Sequence, residues 1–180
     1  MALTLQKAVV GSCISISFVL FGNAVTQSFM TIPALLVGFP PPSSPKYAER
    51  AALLGRQWPH CWAVGNVFFR PISTLAFLGY AFTTYSTYSG SSQFFGKGAD
   101  WRLYAISTVL HFSVILHSAI NMQPMNDKLA ELGFIDAKSK GGLSDDALNA
   151  ESLMRQWGRW NLVRVVFPLI AGCVAFYQTL

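Results

Sequence analysis

No charged residue interrupts the chain from Ala8 to Pro45, and the apolar stretch at its centre, about Ala8 to Gly38, outlasts a hydrocarbon core. A helix rising 1.5 Å per residue crosses the roughly 30 Å of lipid chains in about 20 residues. Pro33 and then "FPPPSSP" are expected to close this first span. A cleavable signal peptide is the competing reading; the apolar region is much longer than a signal core, and no small-x-small site follows it. Three further apolar segments follow. One runs from about Trp58 to Tyr88 and holds a single charge, Arg70; one runs from about Trp101 to Asn121; the last runs from about Trp160 to the C-terminus, with Arg164 near its start. The pattern predicts spans at about 8–36, 60–85, 102–121 and 160–179. Trp58, Trp62, Trp101, Trp157 and Trp160, with Tyr85, Tyr88 and Tyr177, fall near the predicted ends, where an interfacial aromatic belt places such rings.

The third loop is the one sizeable polar region. In "GGLSDDALNAESLMRQWGRW" a Gly-Gly break precedes Ser144, a helix cap, and Asp145 and Asp146 suit the positive end of a helix dipole. One helix is expected to run from about Asp145 into the fourth span, its first part lying at the interface, with Pro168 as a kink. The predicted fold is all-α: an integral membrane four-helix bundle with an interfacial helix in the loop before the last span, forming one domain over 1–180.

Composition agrees. Hydrophobic residues make up 52% of the 180 and charged ones only 12%, half a soluble domain's share. The formal charge of +5 is spread, with no polybasic run, so nucleic acid is not an expected partner; the lipid bilayer is. Loops one and three hold Lys46, Arg50, Arg56, Lys128, Lys138, Lys140, Arg155 and Arg159, against Lys7, Lys97 and Arg102 elsewhere outside the spans. That bias predicts cytoplasmic loops one and three. Cys13, Cys61 and Cys173 are isolated in apolar stretches, without zinc or disulfide spacing. Gly11 and Ser15 form a weak small-xxx-small pair, which leaves an oligomer open.

Polar groups inside a span cost free energy and ask for a reason; a central Arg costs about 2.5–3.5 kcal/mol on insertion scales. Arg70, one turn after Asn66 and beside Pro71, either snorkels to the interface or points inward to meet an anion. Asn23 and Gln27 share a face at i, i+4 and serve either as interhelical glue or as site residues. His111 and His117 do not share a face, which argues against a two-His metal site on one helix; His60, at a segment end, is a poor second haem ligand. On α-helical spacing His117, Asn121 and Pro124 form one stripe, and Trp157, Asn161 and Arg164 another.

Three motifs, "FGNAVTQSFMTIPALL", "NMQPMNDKL" and "WGRWNLVR", resemble the anthrone oxygenase family of small four-span membrane proteins. The resemblance covers essentially the whole chain. It implies oxidation of an anthrone to an anthraquinone by molecular oxygen in aromatic polyketide biosynthesis, in an endomembrane such as the endoplasmic reticulum, with no metal or flavin cofactor. The family's Pro-x-Asn falls on Pro124 and Asn126, and its Trp and Arg on Trp157 and Arg164. Many relatives carry His where this chain has Asn161. The base would then be His111 or His117, with room for a different reaction.

An anthrone CH2 is acidic, and its delocalised anion can reduce oxygen directly. On this reading His117 or His111 removes the proton and Arg164 or Arg70 neutralises the oxyanion. Asn126, Asn161 and Asn23 donate hydrogen bonds, Gln27 and Asn121 line the site, and Trp157, Phe68, Phe69 and Phe112 stack on a flat aromatic substrate. The alternatives are a cofactor-free cyclase or isomerase on a polyketide or meroterpenoid scaffold, a non-catalytic membrane scaffold for pathway enzymes, and a transporter.

Overall fold

The computed structural model describes residues 2–90, 99–135 and 148–180, which are helical apart from connecting turns. The helices are α1 (Ala2–Thr26), α2 (Ile32–Leu36), α3 (Tyr47–Tyr88), α4 (Trp101–His117), α5 (Gln123–Glu131) and α6 (Ala150–Tyr177). A five-residue π-turn joins α1 to α2 (Gln27–Thr31), another joins α4 to α5 (Ser118–Met122), and a short 3-10 turn, Leu132–Phe134, follows α5. Four continuous helical runs among the described residues are long and apolar enough to cross a membrane: Leu5–Leu36, Tyr47–Tyr88, Trp101–Phe134 and Ala150–Tyr177. The protein is an all-helical, multi-pass, four-span membrane bundle.

Two boundaries differ from the sequence reading. The third run does not stop at Asn121 but passes Pro124 and continues to Phe134. Proline lacks an N–H and its ring crowds the carbonyl four residues back, so it breaks a regular helix interior. Here the wider π-turn comes immediately before, and Pro124 sits in the first turn of α5, where a missing N–H costs little. Pro33 stands in the same relation to the first π-turn. The second run starts at Tyr47 rather than near 60, and its polar first turns belong to the same 42-residue helix. The expected start of α6 at Ser144 and Asp145 lies outside the described residues; from Ala150 the helix is continuous past Pro168.

The π-turns leave a signature in burial. On α1 the buried residues Val10, Ser17 and Ala24 follow at seven-residue steps, and the next, Ile32, comes eight later. On the third run Ser107 and Val114 are seven apart, Met122 is eight further, and Leu129 seven beyond that. A π-turn closes i→i+5 rather than i→i+4, so it absorbs one extra residue and returns the helix to the same buried face. The stripe proposed from His117 through Pro124 is therefore broken: Pro124 is exposed, and Met125 and Asn126 turn inward instead.

Contacts group the chain into two compact units. The first holds the chain up to Ala24, Phe68–His117 and Val163–Leu180; the second holds Val25–Val67 and Ser118–Leu162. In the second, Tyr47, Leu54, Trp58, Met122, Leu129, Met154 and Trp157 form an apolar core. Gly55 and Gly133 meet backbone to backbone; a Cβ on Gly55 would overlap the Gly133 nitrogen. Loop one is tied down by Arg50, which donates to the Leu35 carbonyl at 2.9 Å and lies over the Phe39 ring. Gly38, at φ 63°, turns the chain out of α2. In the first unit, Val10, Cys13, Tyr80, Tyr104 and Ala175 pack together. There Gly79 makes room for the Cys13 sulfur, and Ser107 donates to the Ala171 carbonyl at 3.0 Å.

Trp58 and Trp157 are not belt residues. Each is 1% exposed, whereas Trp101 and Trp160 are 37% and 41% exposed. Their indole N–H groups have an internal acceptor, described next, so their rings need no polar interface.

Candidate functional site

Polar residues gather at two places, one in each unit. In the second unit the carbonyl oxygen of Asn126 accepts two indole N–H bonds, from Trp157 at 2.8 Å and from Trp58 at 3.3 Å. The two indoles meet edge to face with centroids 4.8 Å apart. Only an oxygen can accept both donors, so the orientation of the Asn126 amide is fixed. Nearby in sequence, Asn161, fully buried, donates from Nδ2 to Ser28 Oγ at 2.9 Å. Asn161 thus closes a bond to the first π-turn, which Ser28 supplies. The buried oxygens of Gln27 and Gln57 and the Trp62 indole nitrogen have no hydrogen-bond partner among the described residues.

In the first unit a buried chain of three side chains centres on Ser17. Its hydroxyl lies 2.8 Å from the Cys13 carbonyl, 3.0 Å from the Tyr80 hydroxyl and 2.9 Å from His111 Nε2. The Tyr80 and His111 rings lie 5.3 Å apart. Ser17, Tyr80 and His111 are all fully buried, and His111 Nδ1 has no hydrogen-bond partner among the described residues.

The other expected site residues divide as follows. Arg164 belongs to the buried stripe of α6, which runs Met154, Trp157, Asn161, Arg164, Ala171 and Ala175; Arg164 itself is half-buried. Its charge interacts with that of Arg70. Arg70 is exposed, which corrects its inward-pointing reading. The backbone of Asp100 bonds to Gln178 and Ser107 to Ala171, an antiparallel register that sets Arg164 level with Val114, midway between His111 and His117. His117 is buried at the last position of α4, where the π-turn begins. Asn23 and Asn121 are half-buried. Phe112 is 43% exposed and its ring lies against Phe77, while Phe68, 56% exposed, meets Phe69 edge to face. The first unit therefore brings together Asn23, Arg70, His111, Phe112, His117 and Arg164; the second holds Gln27, Asn121, Asn126, Trp157 and Asn161.

Ser17, Tyr80 and Trp58 were absent from the expected set. A lone Ser in an apolar helix bonds its own i−4 carbonyl and draws no notice, and Tyr80 and Trp58 read as ordinary aromatic filling. The available signal was Ser17 on the seven-residue stripe of Val10 and Ala24, where an aliphatic residue is the default.

Residues 58–174 match the family described as Anthrone oxygenase. The chain belongs to that family. The match spans both polar centres, including Trp58, Tyr80, His111, Asn126, Trp157, Asn161 and Arg164. The chain is also similar to a protein described as Monooxygenase hypC from Dothistroma septosporum, with 27% identity over 160 residues, covering 89% of this chain and 76% of that protein. No solved structure matches this anthrone oxygenase family member. Among the described residues no three His, Cys, Asp or Glu side chains come together to hold a metal ion.

Proposed function

We propose that the protein is a membrane oxygenase that oxidises an anthrone to an anthraquinone with molecular oxygen, using neither metal nor flavin, in aromatic polyketide biosynthesis. The observation that carries the reading is His111: a fully buried imidazole with one nitrogen tied to Ser17 and the other without a protein partner. A neutral imidazole of this kind is a base kept away from competing solvent protons. Arg164, on the inner stripe of the same unit, supplies a positive charge for the enolate oxygen, where a fixed cation acts most strongly in low-dielectric surroundings.

In this mechanism His111 takes one proton from the anthrone CH2. The resulting carbanion gives one electron to O2, and the radical pair joins as a peroxide at that carbon. The peroxide takes the proton back; loss of the second C–H proton with cleavage of the O–O bond releases water and leaves the carbonyl. One O2 is consumed, one of its oxygens entering the quinone and the other leaving as water.

The test is oxygen uptake and anthrone loss by the purified protein after chelation and removal of flavin. His111→Ala and Arg164→Ala are each expected to lower turnover by about 100-fold, the usual contribution of a positioned base or oxyanion partner. Uptake that is unchanged in both variants, or that requires an added metal, would sink the proposal. Asn161, in place of the relatives' His, favours a second reading in which the same base drives cyclisation or isomerisation; turnover without oxygen would select it. For topology, we propose that loops one and three face the cytoplasm of an endomembrane, since they hold most of the basic residues. A cysteine placed at Lys46 should react from the cytoplasmic side alone.

A further inference from the structure

The hydrogens around Ser17 can be counted. A serine hydroxyl has one hydrogen and two lone pairs, and Ser17 Oγ has three polar neighbours. The Cys13 carbonyl oxygen can only accept, so it takes the serine hydrogen at 2.8 Å. The two lone pairs are then left for Tyr80 and His111. Tyr80 donates its phenolic O–H, and His111 must donate from Nε2. Every group in the cluster is satisfied by this arrangement, and burial leaves no water to offer another.

We propose that Ser17 is a positioning residue that holds His111 in the Nε2–H tautomer, leaving the Nδ1 lone pair as the free basic site. A neutral imidazole carries one N–H, so a hydrogen at Nε2 means none at Nδ1. Nδ1 is also the nitrogen without a partner among the described residues. The ligand suited to it is a weak carbon or oxygen acid presented in an apolar pocket. When Nδ1 takes a proton, Ser17 still accepts from Nε2–H, so the ring keeps its orientation through the transfer. This assignment deepens the proposed role of His111 and rests on it for its catalytic consequence alone.

The tautomer is measurable without turnover. Full-length protein in detergent, labelled with 15N-histidine, gives distinct nitrogen shifts for N–H and bare ring nitrogens, and a His111→Gln spectrum assigns the site against His60 and His117. The expected spectrum has a bare Nδ1 and a protonated Nε2 on His111. Ser17→Ala is expected to move His111 toward the other tautomer and to lower kcat by about tenfold with KM nearly unchanged. Tyr80→Phe, which removes only a donor to Ser17, is expected to leave the tautomer in place. A protonated Nδ1 in the unaltered protein, or a tautomer indifferent to Ser17→Ala, would overturn the assignment. If Ser17→Ala does not fold, the spectrum of the unaltered protein decides alone. Should the tautomer be as stated while oxygen uptake ignores His111→Ala, the oxygenase reading falls and the assignment stands.

Discussion

Replacing Asn126 with Leu tests the polar centre of the second unit. Leucine fills nearly the same volume but offers no acceptor, so the Trp157 and Trp58 indole N–H groups lose their partner together. In water-soluble proteins an orphaned buried donor costs about 1–3 kcal/mol, which for two gives about 2–6 kcal/mol. Interhelical hydrogen bonds in a bilayer average about 0.6 kcal/mol and reach about 1.7, because the unfolded chain in lipid also finds partners. Both indoles are 1% exposed, and the shorter bond is 2.8 Å, so the loss belongs near the upper membrane figure for Trp157 and lower for Trp58 at 3.3 Å. The sum is about 2 kcal/mol. The assay is reversible unfolding in mixed detergent and SDS, followed by tryptophan fluorescence. A double-mutant cycle isolates the contact: with Trp157→Phe already present, Asn126→Leu should cost about 1 kcal/mol less than it does alone. A loss below about 0.5 kcal/mol, or strictly additive variants, would refute the account of Asn126 as the shared acceptor.

Three further outcomes follow from the packing. Gly55→Ala improves intrinsic helix propensity by about 1 kcal/mol, yet it drives a methyl into the Gly133 backbone, so the same unfolding assay should show a net loss of about 2 kcal/mol or more, with Gly11→Ala, which meets open space, as the harmless control. Tyr47→Phe removes the bond from its hydroxyl to the Leu148 carbonyl and should cost about 1 kcal/mol. Cys173 is exposed and Cys13 buried, so a lipid-soluble maleimide should label Cys173 in the folded protein and reach Cys13 only after unfolding, as mass spectrometry of peptides would report.

The four spans were legible because length and lack of charge are properties of a segment, needing no knowledge of its neighbours. Helix ends were less so. Pro124 read as a terminator because a proline rule assumes a regular α-helix upstream, and the π-turn before it removes that assumption. Trp58 and Trp157 read as interfacial because segment ends and interfaces coincide in a chain taken one span at a time; their burial depends on Asn126, which is 68 and 31 residues away. Arg164 kept its place because a stripe through Trp157 and Asn161 is a local property of α6. His111 was legible as a rare polar group in a span, but its bond to Ser17 crosses 94 residues and follows no spacing rule.

The extra residue in each π-turn also bears on how the chain can change length. Removing one residue from Ser118–Met122 would convert that turn to ordinary α-helix and leave Met125, Asn126 and Leu129 facing as they do now. The same deletion within Trp101–His117 would swing the whole downstream helix by about a quarter turn or more and carry Asn126 away from both indoles. The two wide turns are thus the places where lineages can gain or lose a residue inside a span without a frameshift in packing. An alignment gap inside a membrane helix of such proteins is best placed there, with Asn126 kept in column.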